Sequence, residues 1–203
     1  MSYSPKNNEQ GFTMVELVVG LAISLILMGI AVKIFLVQQK AYNVQQQLSE
    51  MQQNIRAATD IIVRETKMAG YDPTDLGFDG IGNNSSATSI QILADLDGNG
   101  LTTDPNEDIT YKYYDDPDFQ IKRKGSTGGS FQPLAENIEA FTLKYFNANG
   151  DEIGTTTPNL IRQIQITITG RTAKVDPDRK RVDGIGYRYG TLTTRVTPEN
   201  LDF

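Results

Sequence analysis

The 203-residue chain contains no cysteine, no histidine and no tryptophan. Without the first two there is no Ser-His or Cys-His nucleophile and no zinc site built on imidazole or thiolate. A disulfide framework is impossible, so cysteine usage says nothing about redox compartment. Proline is absent between Pro5 and Pro73, so nothing breaks a helix across 12–70. With 18 glycines and 8 prolines, the chain is also too poor in both for a disordered or collagen-like polymer. Bases are outnumbered, 19 against 25 acids, and the deficit is local. Residues 95–118 hold eight acids (Asp95, Asp97, Asp104, Glu107, Asp108, Asp115, Asp116, Asp118) against one base, Lys112, leaving 18 bases and 17 acids elsewhere. No basic stripe with interleaved aromatics exists, which argues against a nucleic-acid partner. The length suits one globular domain with an appendage.

That appendage is N-terminal. Phe12 to Val32 is apolar except for Glu16, and as a helix it would span about 31 Å, one hydrocarbon core. Beyond it the pattern becomes striped. Val44, Leu48, Met51, Ile55, Ala58 and Ile62 recur alternately four and three residues apart, forming one apolar seam, while glutamines fill much of the other face. Gly70 and Asp72-Pro73 close the segment. The pattern predicts one long helix, its first half in lipid and its second half on a domain. A cleaved secretory signal would need a small-residue cleavage site after the run, where Lys33-Ile34-Phe35 stands instead. A buried core helix of this length is disfavoured. A plain anchor leaves Glu16 unexplained, because a carboxylate at mid-bilayer costs about 2.5–3.5 kcal/mol.

Gly11-Phe12-Thr13-Met14-Val15-Glu16-Leu17 ahead of an apolar run resembles the prepilin signature of type IV pilins and type II secretion pseudopilins. The resemblance implies cleavage after Gly11 by a prepilin peptidase, methylation of the new Phe12 amine, and an assembly role for Glu16. Glu16 lies four residues after Phe12, within reach of that amine or of a neighbouring subunit's. Met68-Ala69-Gly70-Tyr71, Leu134–Phe141, Lys144-Tyr145-Phe146, Pro158–Arg162 and Thr193–Pro198 resemble PilW-type minor pilins and J-type minor pseudopilins. The implied domains are a leader over 1–11, a membrane and assembly half-helix over 12–33, an amphipathic half over 34–70, and a head over 71–203. The implied function is a minor pilin of a priming or tip complex, or a type II secretion minor pseudopilin, and not an enzyme. Its partners would be other pilin or pseudopilin subunits, the prepilin peptidase and an inner-membrane assembly platform. The head would lie in the periplasm, and the chain would move from the bacterial inner membrane into a pilus or pseudopilus. A membrane-anchored metal-binding or adhesin domain is the alternative of another class.

After a Gly/Asn/Ser-rich loop over 77–86, strands are expected at 89–94, 108–114, 119–124, 138–146, 161–171 and 186–197. Ile164, Ile166, Ile168 and Phe141, Leu143, Tyr145 alternate, with Asn149-Gly150 and Asp183-Gly184 as turn signals. The fold class is α+β: the long helix packed on one antiparallel sheet.

Asp95-Leu96-Asp97-Gly98-Asn99-Gly100-Leu101 has the spacing of an EF-type calcium loop, with side chains at positions one, three and five and the Leu101 carbonyl at seven. The twelfth position is Asn106 rather than an acid, and Glu107 follows it. Asp104 or Glu107 would close such a site. A solvated Asx-rich turn between strands is the competing reading. Asp115-Asp116-Pro117-Asp118 reads as a turn. Lys174, Arg179, Lys180 and Arg181 flank Asp176-Pro177-Asp178 in a solvated hairpin loop. Tyr111, Tyr113, Tyr114, Tyr187 and Tyr189 read as core or sheet-face residues.

Overall fold

The computed structural model describes residues 11–75, 77–176, 179 and 186–201. The leader Met1–Gln10, Asp183-Gly184, Pro177, Asp178, Lys180 and Arg181 lie outside them. The chain forms two compact units, one ending at Gln45 and the other starting at Gln46.

Among the described residues there is one long helix, α1 (Met14–Lys67). It begins two residues after Phe12, and its last turn tightens, with Met68 N–H donating to Glu65 O and Ala69 N–H to Thr66 O, both at 3.1 Å. Gly70 follows at φ 78, the left-handed geometry that ends helices. In the first unit the apolar residues of 12–37 are exposed on every side. By length and composition this helix can cross a membrane.

In the second unit the seam does what its period requires: Met51, Ile55, Ala58 and Ile62 are buried. They share one core with strands of two sheets rather than the single sheet expected. Sheet A is β1 (Ser89–Leu93), β2 (Asp108–Tyr114), β3 (Gln120–Lys124) and β4 (Gln132–Ala135), in that order. Sheet B contains β5 (Ile138–Phe146), β6 (Glu152–Ile153), β7 (Gln163–Arg171) and β8 (Tyr189–Val196), in spatial order β6-β5-β7-β8. Every pairing is antiparallel. β4 and β6 are additions to the expected strands. The segment 161–162 is not strand, because a 3-10 turn over Pro158–Leu160 precedes β7.

The alternation in β5 and β7 buries Phe141, Leu143, Tyr145, Ile164, Ile166 and Ile168. Main-chain bonds stitch the sheets together: Ile138 N–H to Phe119 O and Leu143 N–H to Ala87 O, each 2.8 Å. The Tyr145 hydroxyl spans Ser86 O and Ser89 O. The segment over 77–86 is more than a linker, since Ile81 bridges Ile92 and Ser86 bridges Ser89 along the outer edge of β1. A polar network ties α1 to sheet A. Tyr111 Oη donates to Glu65 Oε2, and Arg123 donates to both Glu65 oxygens at 3.1 and 3.0 Å. Burial, reinforced by the Glu65 carboxylate, pushes the Tyr111 hydroxyl well above the ordinary tyrosine range.

Candidate functional site

Two clusters of the expected residues fall in different units. In the first, Gly11 and Phe12 precede α1 as exposed, non-helical chain, which is the accessibility a peptidase needs. Thr13 caps the helix. Its main-chain N–H and its hydroxyl donate to Glu16 Oε2 at 2.9 and 2.8 Å, and Glu16 N–H donates back to Thr13 Oγ1 at 3.3 Å. This is a reciprocal capping box, in which one threonine and the glutamate three residues on satisfy two otherwise unpaired amides. Glu16 therefore has a partner inside its own chain, and its carboxylate also lies at the positive end of the helix dipole. The sequence reading missed Thr13, although the Thr-x-x-Glu spacing was there to find it.

The second cluster is the loop between β1 and β2. Asp95 and Glu107 are buried, at 0% and 2% exposure, whereas Asp97 is exposed. One oxygen from each of the three lies within 4.8 Å of the others. Calcium holds its oxygens at 2.3–2.6 Å, so oxygens in one shell can be about 5 Å apart, and this spacing fits. The loop's own amides already engage the buried pair. Asp95 Oδ1 accepts from Gly98 N–H and Asn99 N–H at 2.8 and 3.2 Å, and Oδ2 from Gly100 N–H at 2.9 Å. Thr74 Oγ1 adds a longer contact to Oδ2 at 3.3 Å. Glu107 Oε1 accepts from Leu96 N–H and Asp97 N–H at 2.7 and 3.2 Å, and Oε2 from Asp104 N–H at 3.3 Å. Gly98 and Gly100 take φ 76 and 81, which lets consecutive amides converge on one carboxylate.

The remaining expected ligands gather around Asn99. Its Nδ2 donates to Asp97 Oδ2 at 3.2 Å and to Asp104 Oδ2 at 2.7 Å. Its Oδ1 accepts from Leu101 N–H at 2.8 Å in an Asx turn. The structure thus joins Asp95, Asp97 and Glu107 directly, and links Asp104 to them through Asn99. For Asn99 to act as a ligand, its amide would have to exchange oxygen for nitrogen toward the acids. Asp115–Asp118 forms the expected turn, with Asp118 N–H donating to Asp115 O at 2.9 Å.

Known proteins resemble the chain in both units. A family model of the prokaryotic N-terminal methylation motif matches residues 6–32. A second, described as prepilin peptidase-dependent protein B, matches residues 44–187. A type IV-like pilin from Thermus thermophilus is similar in structure: 11% identity over 74% of this chain and 97% of that one, with a TM-score of 0.46. No curated protein matches.

Proposed function

We propose that this chain, a member of the prepilin peptidase-dependent protein B family, is a minor pilin that enters a type IV pilus through its N-terminal helix. The observation that carries the reading is the match of the methylation motif over 6–32 to a segment with an exposed Gly11-Phe12 junction and a capped apolar helix behind it. The prepilin peptidase would cut between Gly11 and Phe12, freeing an amine for methylation. Glu16 would then neutralise an amine at the start of the helix bundle, its own or a neighbour's. An apolar helix packs against other such helices as readily as against lipid tails, so the same segment serves as anchor before assembly and as fibre core after it. The inner-membrane platform would carry out that transfer, with the head on the periplasmic side.

Calcium at Asp95, Asp97 and Glu107, with Asn99, Asp104 and the Leu101 carbonyl completing the shell, is part of this proposal. The 4.8 Å grouping of carboxylates supports it. In that role the ion would stiffen the β1–β2 loop of the head and take no part in any reaction.

The test is fractionation. Surface fibres sheared from cells expressing the whole pilus system should contain the chain in small amounts, and should lose it when the peptidase is deleted. Recovery only from cells carrying a type II secretion system would assign it to a pseudopilus instead.

A further inference from the structure

Asparagine is followed by glycine at two places, Asn99-Gly100 and Asn149-Gly150. The dipeptide carries a chemistry of its own. Glycine has no side chain to shield its main-chain nitrogen, and that nitrogen is tethered within reach of the side-chain amide of the preceding residue. Whether the two groups meet depends on what else holds them, and the structure treats the two places differently. At Asn99 both ends of the side-chain amide are engaged. Nδ2 donates to Asp97 and Asp104, and Oδ1 accepts from Leu101 N–H. Gly100 N–H is itself bonded to the buried Asp95 at 2.9 Å.

Asn149 lies in the turn between β5 and β6, and a different residue organises that turn. Asn147 Oδ1 accepts from Asn149 N–H and Asp151 N–H at 3.0 and 2.9 Å, and its Nδ2 donates to Asp151 Oδ2 at 3.1 Å. The Asn149 side chain is exposed and bonds to no described residue. Around Gly150 the space that a Cβ would take is open to 4 Å. Among the described residues, Gly150 N–H is held by one bond, to Asn147 O at 3.1 Å.

We propose that Asn149 is a site of spontaneous covalent modification, at which the folded chain converts its own amide to an acid. Hydroxide takes the proton from Gly150 N, which attacks Asn149 Cγ. The N–Cγ bond forms, the Cγ–Nδ2 bond breaks, and the nitrogen leaves as ammonia after taking a proton from water. The product is a five-membered cyclic imide. Water then opens the ring at one of its two carbonyls. Breaking N–Cγ gives aspartate; breaking the bond from N to the Asn149 main-chain carbon gives isoaspartate. Either product adds a negative charge beside Asp151 and Glu152, in a chain already at −6. Isoaspartate also lengthens the main chain by one carbon inside the turn. β6 has two residues, held against Tyr145 and Phe146, so a lengthened turn releases it. The inference stands on the second unit alone and does not require the fibre reading.

The experiment incubates the full chain in detergent micelles at mildly alkaline pH, natively and in urea. Peptide mapping by mass spectrometry follows the conversion of amide to acid at each asparagine, and an isoaspartyl methyltransferase marks the isoaspartate. In the native chain Asn149 should convert at least about tenfold faster than Asn99, whose amide must first be freed by local opening of its loop. Isoaspartate should appear at 149, and hydrogen exchange over Glu152-Ile153 should be faster in the converted fraction. In urea the two sites should convert at similar rates, because the protection of Asn99 comes from the fold. No conversion at Asn149, native conversion at Asn99 as fast as at Asn149, or the same ratio of rates in urea as in the native chain would overturn the proposal.

Discussion

Thr13 and Glu16 separate two jobs that lie one helical turn apart. The box they form stabilises the first turn of α1, whereas a charge role for Glu16 concerns what happens after cleavage. Thr13→Ala removes the cap, at about 0.5–2 kcal/mol of local helix stability, and keeps the carboxylate. Glu16→Ala removes both, while lowering the cost of putting the segment into lipid. The expected outcome is that both variants fractionate with membranes and only Glu16→Ala is lost from sheared fibres. Equal loss would mean that the cap, not the charge, is what assembly needs. Elsewhere, a Cβ at Gly80 would sit 2.3 Å from the Gly70 main-chain nitrogen. Backbone cannot yield as a flexible side chain can, so Gly80→Ala should destabilise the head by about 1–3 kcal/mol, measured by urea unfolding.

At the scale of elements, the β1–β2 loop and the α1–sheet A network make opposite demands on solution conditions. Eight acids within 95–118 repel one another, and a divalent ion would relieve that repulsion. Calcium at about 100 times its dissociation constant would add about 2.7 kcal/mol. A thermal melt should show a midpoint raised more by calcium than by magnesium, and Asp97→Ala should remove most of the rise. Identical melts with calcium, magnesium and chelator would leave the loop as an Asx turn held by its own amides. The Tyr111–Glu65–Arg123 network responds instead to alkali. Burial raises the Tyr111 hydroxyl, and burial likewise raises Tyr145. A tyrosine raised in the folded state contributes stability that is complete below its unfolded value, about 10. That stability falls as pH climbs through that value toward the folded one, because only the unfolded chain gives up its protons. Unfolding midpoints should therefore drop above about pH 10. Tyr111→Phe together with Tyr145→Phe should flatten that drop.

The same scale shows which parts of the fold could be read from sequence. The seam through Met51, Ile55, Ala58 and Ile62 and the alternation in β5 and β7 are local periodicities, and burial follows them. β4 and β6 carry no such signal: one is four residues with a proline and the other is two, held by neighbours rather than by pattern. The split into two sheets depends on which strands pair across the chain, and periodicity does not record that. Ligand spacing in the acidic loop was legible, but the full burial of Asp95 was not. An acid is buried here only because amides released by two left-handed glycines converge on it. Thr13 is the converse case, a local motif readable in full and overshadowed by the charge beside it.

For the whole molecule, the segment over 12–37, exposed and apolar on every side, is suited to being surrounded by lipid or by other helices. Membership of a prepilin peptidase-dependent family and the methylation motif supply a reason for both surroundings in turn. The central claim is that the chain is made as a precursor and matured at Gly11-Phe12. The most direct measurement is the intact mass of the protein extracted from membranes of cells that have the peptidase. The account predicts loss of residues 1–11 and the gain of one methyl group on Phe12. A full-length, unmethylated chain in those cells would contradict it.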